Sequence, residues 1–171
     1  MATGPTYEKI ATTTLSSVAN TVSFSSITGS YTDLIVVASI RMDNASSGNQ
    51  NTLIRLNDDS DSNYSWTYML GDGSSASTSR TNNTNSFLVS SVGNDSANRY
   101  SSEIWHLNNY SNTTTYKTAL LRHSASYGNQ VQAWLGLWRS TSAINKILII
   151  GSSSTNFAVG SVFTLYGIAA A

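Results

Sequence analysis

The sequence predicts an all-β fold, a sandwich or barrel of about ten strands, and three observations support it. β-Branched and aromatic residues form short runs, which is the composition of strands. Clusters of Ser, Asn, Gly and Asp separate these runs at the short, regular intervals typical of sandwiches and barrels. No stretch keeps the apolar spacing of three and four residues that an amphipathic helix needs.

The predicted strands follow one another along the whole chain. They cover residues 6–13, 20–24, 34–42, 52–57, 66–70, 86–91, 102–108, 115–124, 131–139, 146–150 and 162–168. Turn-forming residues separate them, at 43–44, 57–59, 71–73, 93–95 and 128–129, and the pair Gly128-Asn129 predicts a hairpin. Residues 140–144 are predicted to form one short helical turn.

The whole chain, residues 1–171, is predicted to be a single domain, because no repeat, linker or change in composition divides it. Residues 71–85 are rich in Ser, Thr and Asn and contain few apolar residues. We therefore expect a long mobile loop there, and such a loop is a plausible contact element.

Composition restricts the possible partners. Of the 171 residues only 11% are charged, and nine basic residues balance nine acidic ones to give a net charge of +0. A nucleic acid or an anionic membrane would require clustered cations, so neither is predicted as a partner. A chain with no net charge does not repel its own copies, so self-association is expected. The N-terminus does not resemble a signal peptide, and no apolar stretch is long enough for a membrane helix.

Catalytic and metal-binding patterns are weak, and no catalytic residue, metal ligand or cofactor is predicted. The sequence contains no cysteine and no G-x-S-x-G motif. His106 and His123 each lie inside a predicted strand, where a hydrogen-bonded packing role is expected. The acidic segment at 58–61 contains carboxylates that calcium would accept, but it lacks the glycine and the glutamate of a calcium loop. A solvated turn is the preferred interpretation.

Aromatic residues are the more informative set. Trp134 and Trp138 share one face of their strand, and the opposite face is also apolar, with Val131, Ala133, Leu135 and Leu137. A strand with two apolar faces needs cover on both sides, so the isolated monomer is predicted to be incomplete. The alternative is that most of the aromatic rings belong to the core. The candidate interface residues are Trp66, Tyr68, Trp105, Trp134 and Trp138.

Several segments resemble a family of small structural proteins of tailed bacteriophages that infect aquatic bacteria, including cyanobacteria. They are YEKIATTTL at 7–15, SYTDLIVVASI at 30–40, IRLNDDSDSNYSWTYMLGDGS at 54–74, YKTALLRHSA at 116–125, GLWRSTSAINKI at 136–147 and NFAVGSVFTLYGI at 156–168. The resemblance implies a virion structural protein with a jelly-roll-like β-sandwich, and it supplies no catalytic residue. A capsid decoration or cement protein, a tail component and a fibre tip are all compatible with it.

The first hypothesis is therefore a non-enzymatic virion protein that is made in the host cytoplasm and stabilises the particle as a decoration or cement protein. Its expected partners are its own copies, as a trimer by analogy, and other virion proteins such as the major capsid protein. The alternative is a tail-fibre module that binds glycans of the host surface through exposed rings. A hydrolase is the third and least favoured hypothesis.

Overall fold

A computed structural model describes residues 6–43, 50–92, 99–125, 128–152 and 155–169, which form twelve β-strands and no α-helix. The strands are β1 Tyr7–Thr14, β2 Thr21–Phe24, β3 Asp33–Ile40, β4 Gln50–Leu56, β5 Tyr64–Gly71, β6 Ala76–Thr84, β7 Phe87–Val92, β8 Ser101–Leu107, β9 Lys117–Ala125, β10 Gln130–Trp138, β11 Ile147–Gly151 and β12 Val162–Ile168. The all-β prediction is confirmed.

The strands form two antiparallel sheets that pack as a sandwich. The larger sheet has eight strands in the order β1-β12-β3-β8-β9-β10-β5-β6, and the smaller has four in the order β2-β11-β4-β7. Phe87 of the smaller sheet lies between the two, with its ring centroid 5.0 Å from that of Tyr64 and 6.0 Å from that of Trp105 in the larger sheet. The jelly-roll-like arrangement is not confirmed by this division into eight and four strands.

Alternation of side chains gives the eight-stranded sheet two distinct faces. Along β10, buried and less buried residues alternate from Val131 to Trp138, as a strand with one covered face requires. We call the face toward the four-stranded sheet the inner face and the opposite one the outer face. Trp134 and Trp138 lie on the inner face, within the core that the two sheets share, whereas Val131 and Leu135 lie on the outer face.

Residues 71–85, predicted as a long mobile loop, instead contain a strand. Ala76–Thr84 pairs with β5 and forms one edge of the eight-stranded sheet. The apolar alternation that reveals a half-buried strand is missing because nearly all of β6 is exposed on both faces. The chain reverses at Asp72, whose carboxylate accepts hydrogen bonds from the backbone N–H groups of Ser74 and Ser75 at 2.8 and 2.7 Å.

The helical turn predicted at residues 140–144 is also wrong, because the segment has no regular secondary structure and bends at Ser142. Its backbone groups bond to other parts of the chain: the Ile144 N–H donates to the Tyr110 carbonyl at 2.8 Å, and the Ala143 carbonyl accepts from the Asn57 side chain at 2.8 Å. These long-range partners replace the local hydrogen bonds of a helical turn.

Two predicted turns have the expected backbone. Asn57 and Asp58 both have positive φ, as do Gly128 and Asn129 in the connection between β9 and β10. Asn, Asp and Gly tolerate this conformation best. The predicted turn at 93–95 and residue 44 of the turn at 43–44 lie outside the described residues.

Gly136 allows the two sheets to approach each other, and its replacement is expected to be costly. A Cβ at this position would lie 2.6 Å from a ring carbon of Phe87, and Phe87 is held between Tyr64 and Trp105. We expect Gly136→Ala to lower the free energy of unfolding by about 1–3 kcal/mol, the usual cost of overpacking, measured by urea denaturation. Gly71→Ala is the control, because its Cβ would meet nothing closer than 3.9 Å; equal effects of the two changes would contradict the prediction.

Candidate contact surface

The tryptophans predicted as interface residues lie in the core. Trp105, Trp134 and Trp138 are only 2–3% exposed. Each belongs to the core on the inner face of the eight-stranded sheet. Trp105 lies against Phe87 of the smaller sheet, Trp134 lies against Trp66 and Tyr68, and Trp138 lies against Tyr64. These three rings are therefore not available to a partner of the folded chain, and any contact surface must be built from other residues.

Trp66 and Tyr68 are half-buried and belong to the same aromatic layer. The Tyr68 ring lies 4.4 Å from that of Trp134, and the Trp66 ring lies 5.2 Å from it. Rings at these separations stabilise one another. Of the five predicted residues, Trp66, Tyr68 and Trp134 thus lie close to one another, and Trp105 lies close to Phe87. These contacts are inside the sandwich.

The outer face of the eight-stranded sheet is apolar and uncovered by the described part of the chain. Met69 and Val131 are each 68% exposed, and Leu120 and Leu135 are about half exposed. Strand register makes them neighbours: Leu135 stands opposite Leu120 of β9, and Met69 stands opposite Ala133 of β10. We call these five residues the apolar belt. Contiguous exposed apolar side chains of this kind mark interaction sites.

A trough of about 690 Å³ runs along part of the apolar belt. Met69, Val131 and Ala133 line it from the middle strands, β6 contributes Ala76 and Thr78, and β8 contributes Ser102 and Ile104. The lining therefore comes from β6 at the edge of the sheet and from β8 on the far side of β9. The outer face is concave at this point. The volume of the trough is within the usual range for sites that receive a ligand, and a projecting segment of another protein could also enter it.

Arg122 is the charged residue of the trough. It stands between Ala133 of β10 and Ile104 of β8, and it is exposed. Its guanidinium forms no ion pair or hydrogen bond within the described part of the chain. A cation surrounded by apolar side chains and lacking an anion is complementary to a carboxylate.

Neither histidine is arranged for nucleophilic or metal chemistry. His106 on the outer face contacts Asp33, with 3.1 Å between Nε2 and Oδ2, and His123 is buried near Glu103, as expected for packing residues. Across the described ranges, no three residues among His, Cys, Asp and Glu converge on a point where a metal ion could bind.

The acidic turn at 58–61 is held together by its own hydrogen bonds. Asp59 accepts from Asn63 at 3.0 Å and from the Trp138 indole at 2.6 Å. Burial raises the pKa of Asp59, but the hydrogen bonds from Asn63, Trp138 and the Asp61 backbone, together with the charge of Arg55, outweigh it, and the pKa lies below its ordinary value. Asp58 pairs with Lys146 at 2.7 Å. The interpretation of this segment as a turn therefore agrees with the structure.

A polar group lies inside the core at Glu103. Its Oε2 accepts a hydrogen bond from the Trp105 indole at 2.9 Å, and its Oε1 lies 3.7 Å from His123 Nδ1. Burial raises the pKa of Glu103 to about 7, although hydrogen bonds from Trp105 and Thr52 oppose this shift. Because Glu103 and His123 are almost completely buried, they are not accessible to a substrate in the folded chain.

Comparison with protein-family models, with curated proteins and with solved structures found no match to this chain. The described residues include no helix with the length and apolar character needed to cross a membrane.

The sequence showed that both faces of β10 are apolar, but the interface was assigned to the face that carries the tryptophans, and most of the outer surface was missed. Met69, Leu120 and Arg122 were not predicted as contact residues. Alternation within their own strands assigns each of them to the face opposite its buried neighbours. The sequence does not reveal the strand order β8-β9-β10-β5, and this order places the three residues beside one another.

Proposed function

We propose that this chain is a non-enzymatic structural protein of a tailed-phage particle, and that it attaches to a neighbouring protein of the particle through its outer face. The observation that carries the proposal is the uncovered apolar belt. Exposed apolar area of this kind is costly in water and is stabilised when a partner covers it. The setting in a phage particle follows from the resemblance of the sequence and is part of the proposal.

The surface also has the mixed character of a specific interface. An apolar centre, Met69 with Val131 and Leu135, is bordered by the hydroxyl groups of Thr78 and Ser102. Protein interfaces combine an apolar centre with a polar rim in the same way. Three of the four tryptophans are buried and Trp66 is half-buried, and none of them lies on the outer face, so this face offers a better basis for binding protein than for stacking sugars.

The occupant we propose is an apolar, acidic, projecting segment of the neighbouring protein. Two copies of this chain meeting face to face would set one concave trough against another and would supply no anion opposite Arg122. A projecting segment would fill the trough with apolar side chains, and its carboxylate would pair with the guanidinium. Such a charge-assisted, bidentate contact adds orientation as well as affinity.

The test is incorporation into particles of the phage that encodes the chain. Particles assembled without the chain receive the wild-type protein, Val131→Lys, Arg122→Glu or Ser23→Lys, and the bound copies are counted after purification. Wild type and the control Ser23→Lys, changed at an exposed position of the other sheet, should bind in a fixed number of copies per particle. Val131→Lys and Arg122→Glu should lose most of the bound protein. Absence of the wild-type protein from particles, or normal binding of both outer-face variants, would overturn the proposal.

A further inference from the structure

We infer that β6 is a dimerisation edge, at which two copies of this chain pair antiparallel and join their eight-stranded sheets across a twofold axis. The site is the backbone of Ala76–Thr81 on the side away from β5. This contact uses a different surface from the outer face, and it does not depend on the identity of the partner proposed there.

The geometry of β6 leaves one row of backbone groups without a partner among the described residues. β6 pairs with β5 alone among the described strands. The Thr67 hydroxyl donates to the Ser79 carbonyl at 3.1 Å, so the backbone groups of Ser79 point toward β5. Neighbouring residues of an extended strand point their N–H and C=O groups in opposite directions. The groups of Thr78 and Arg80, and of Ala76 before them, therefore point outward at the edge.

This edge lacks the usual protection against pairing. Native sheets protect their edges with short strands, prolines, inward charges or bulges. β6 is nine residues long and contains no proline and one charge, Arg80. The pairing of β6 with β5 is irregular near the end of β6, where Asn83 has positive φ, and residues 76–81 are regular. At the other edge of the same sheet, β1 carries the charged pair Glu8 and Lys9, and β2 in the smaller sheet has only four residues.

A second copy is the occupant that fits this edge. With no net charge on the chain, two copies approach without long-range repulsion. A register that sets Thr78 opposite Thr78 of the second copy sets Arg80 opposite Ala76, so the two guanidinium groups do not meet. Threonine pairs are among the favourable cross-strand neighbours. The same register uses the outward groups of all three residues and ends before the irregular segment at Asn83.

The test removes a single outward donor. Wild-type protein should have twice the chain mass in light scattering, and the Thr78 and Arg80 amides should exchange slowly with solvent. Thr78→Pro deletes an N–H that points away from β5, so we expect a monomer with a nearly unchanged melting temperature when measured at high dilution. Thr78→Ser keeps both the N–H and a hydroxyl and should remain a dimer.

Ser79→Pro separates loss of the fold from loss of the dimer. It deletes a donor that points toward β5, so its melting temperature should fall well below that of Thr78→Pro. Three results would each overturn the inference. They are a wild-type protein that is monomeric at the concentrations used to measure amide exchange by NMR, a dimer in which the Thr78 and Arg80 amides exchange rapidly, and a dimer that persists in Thr78→Pro. Assemblies larger than a dimer would also contradict it, since they indicate head-to-tail pairing with another edge.

Discussion

Replacing Glu103 with glutamine is expected to make the protein more stable than wild type at pH 8.5, by about 3 kcal/mol in the free energy of unfolding, and to have little effect at pH 4. Burial raises the pKa of Glu103 from 4.5 to about 7. Each unit of pKa shift corresponds to about 1.4 kcal/mol between the two protonation states. The ionised carboxylate is therefore a destabilising feature of the fold that the neutral amide lacks.

The sign follows from proton binding in the two states. The folded protein holds the Glu103 proton more tightly than the unfolded chain does, so the favourable contribution is fully present below pH 4.5 and is lost as pH rises through about 7. Glutamine keeps an oxygen that can accept the Trp105 N–H and has no proton to lose. Its stability should therefore not show this decline.

Urea denaturation of the two proteins from pH 4 to pH 8.5 measures the difference directly. Because both proteins keep His123, the gap between the two stability curves reports the carboxyl group together with its interaction with His123. Glu8→Gln makes the same chemical change at an exposed position of β1 and is the surface control for the loss of one carboxyl group. A gap between wild type and Glu103→Gln that does not change with pH would show that the carboxyl keeps its ordinary pKa in the fold.

The fold class was predictable because strand signals are local. Each predicted strand has its counterpart in the structure, since a run such as 162–168 combines β-branched and aromatic residues between turn residues. β6 escaped prediction for a physical reason. As an edge strand exposed on both faces, it is held by backbone pairing with β5, and backbone pairing leaves no pattern in the side chains.

The candidate contact surface was only partly predictable. The alternation of side chains along a strand assigns them to two faces, but it does not show which face another sheet covers. For β10, the two apolar faces were recognised, and the large rings were assigned to the interface. In the structure the rings lie in the core, Trp134 against Trp66 and Tyr68 and Trp138 against Tyr64, and the smaller Val131 and Leu135 are left outside. The number and position of strands in the second sheet decide this, and they depend on contacts between residues far apart in the chain.

Trp138→Ala is expected to lower the free energy of unfolding by about 4 kcal/mol, within the usual range for removing a buried tryptophan. The ring is almost fully buried and stacks on Tyr64 with 6.3 Å between ring centroids. Its indole N–H also donates to Asp59 Oδ2 at 2.6 Å, and this bond joins the end of β10 to the acidic turn after β4. Truncation therefore leaves a cavity and removes a hydrogen bond from a carboxylate.

Two further variants separate these contributions. Trp138→Phe keeps a ring in the core but loses the N–H, so its cost should be about 1.5–3 kcal/mol, the value of a hydrogen bond to a charged group. Its Asp59 carboxyl should titrate at higher pH, because one of the hydrogen bonds that lower its pKa is gone. Leu135→Ala is the control on the outer face of the same strand, and its effect should stay within about 0.5 kcal/mol.

These variants distinguish a core role for Trp138 from an interface role. If the ring stabilises the sandwich, Trp138→Ala lowers the urea midpoint at any protein concentration and leaves the mass of the folded protein unchanged. If the ring instead contacts another copy, Trp138→Ala changes the mass of the folded protein, whereas a dimer joined at β6 keeps its mass and the dependence of its midpoint on protein concentration. If Trp138→Ala changes the mass of the folded protein and leaves its urea midpoint unchanged, Trp138 lies in an interface and not in the core. That result would also contradict the outer-face proposal, because the proposal requires the tryptophan face of β10 to be the covered one.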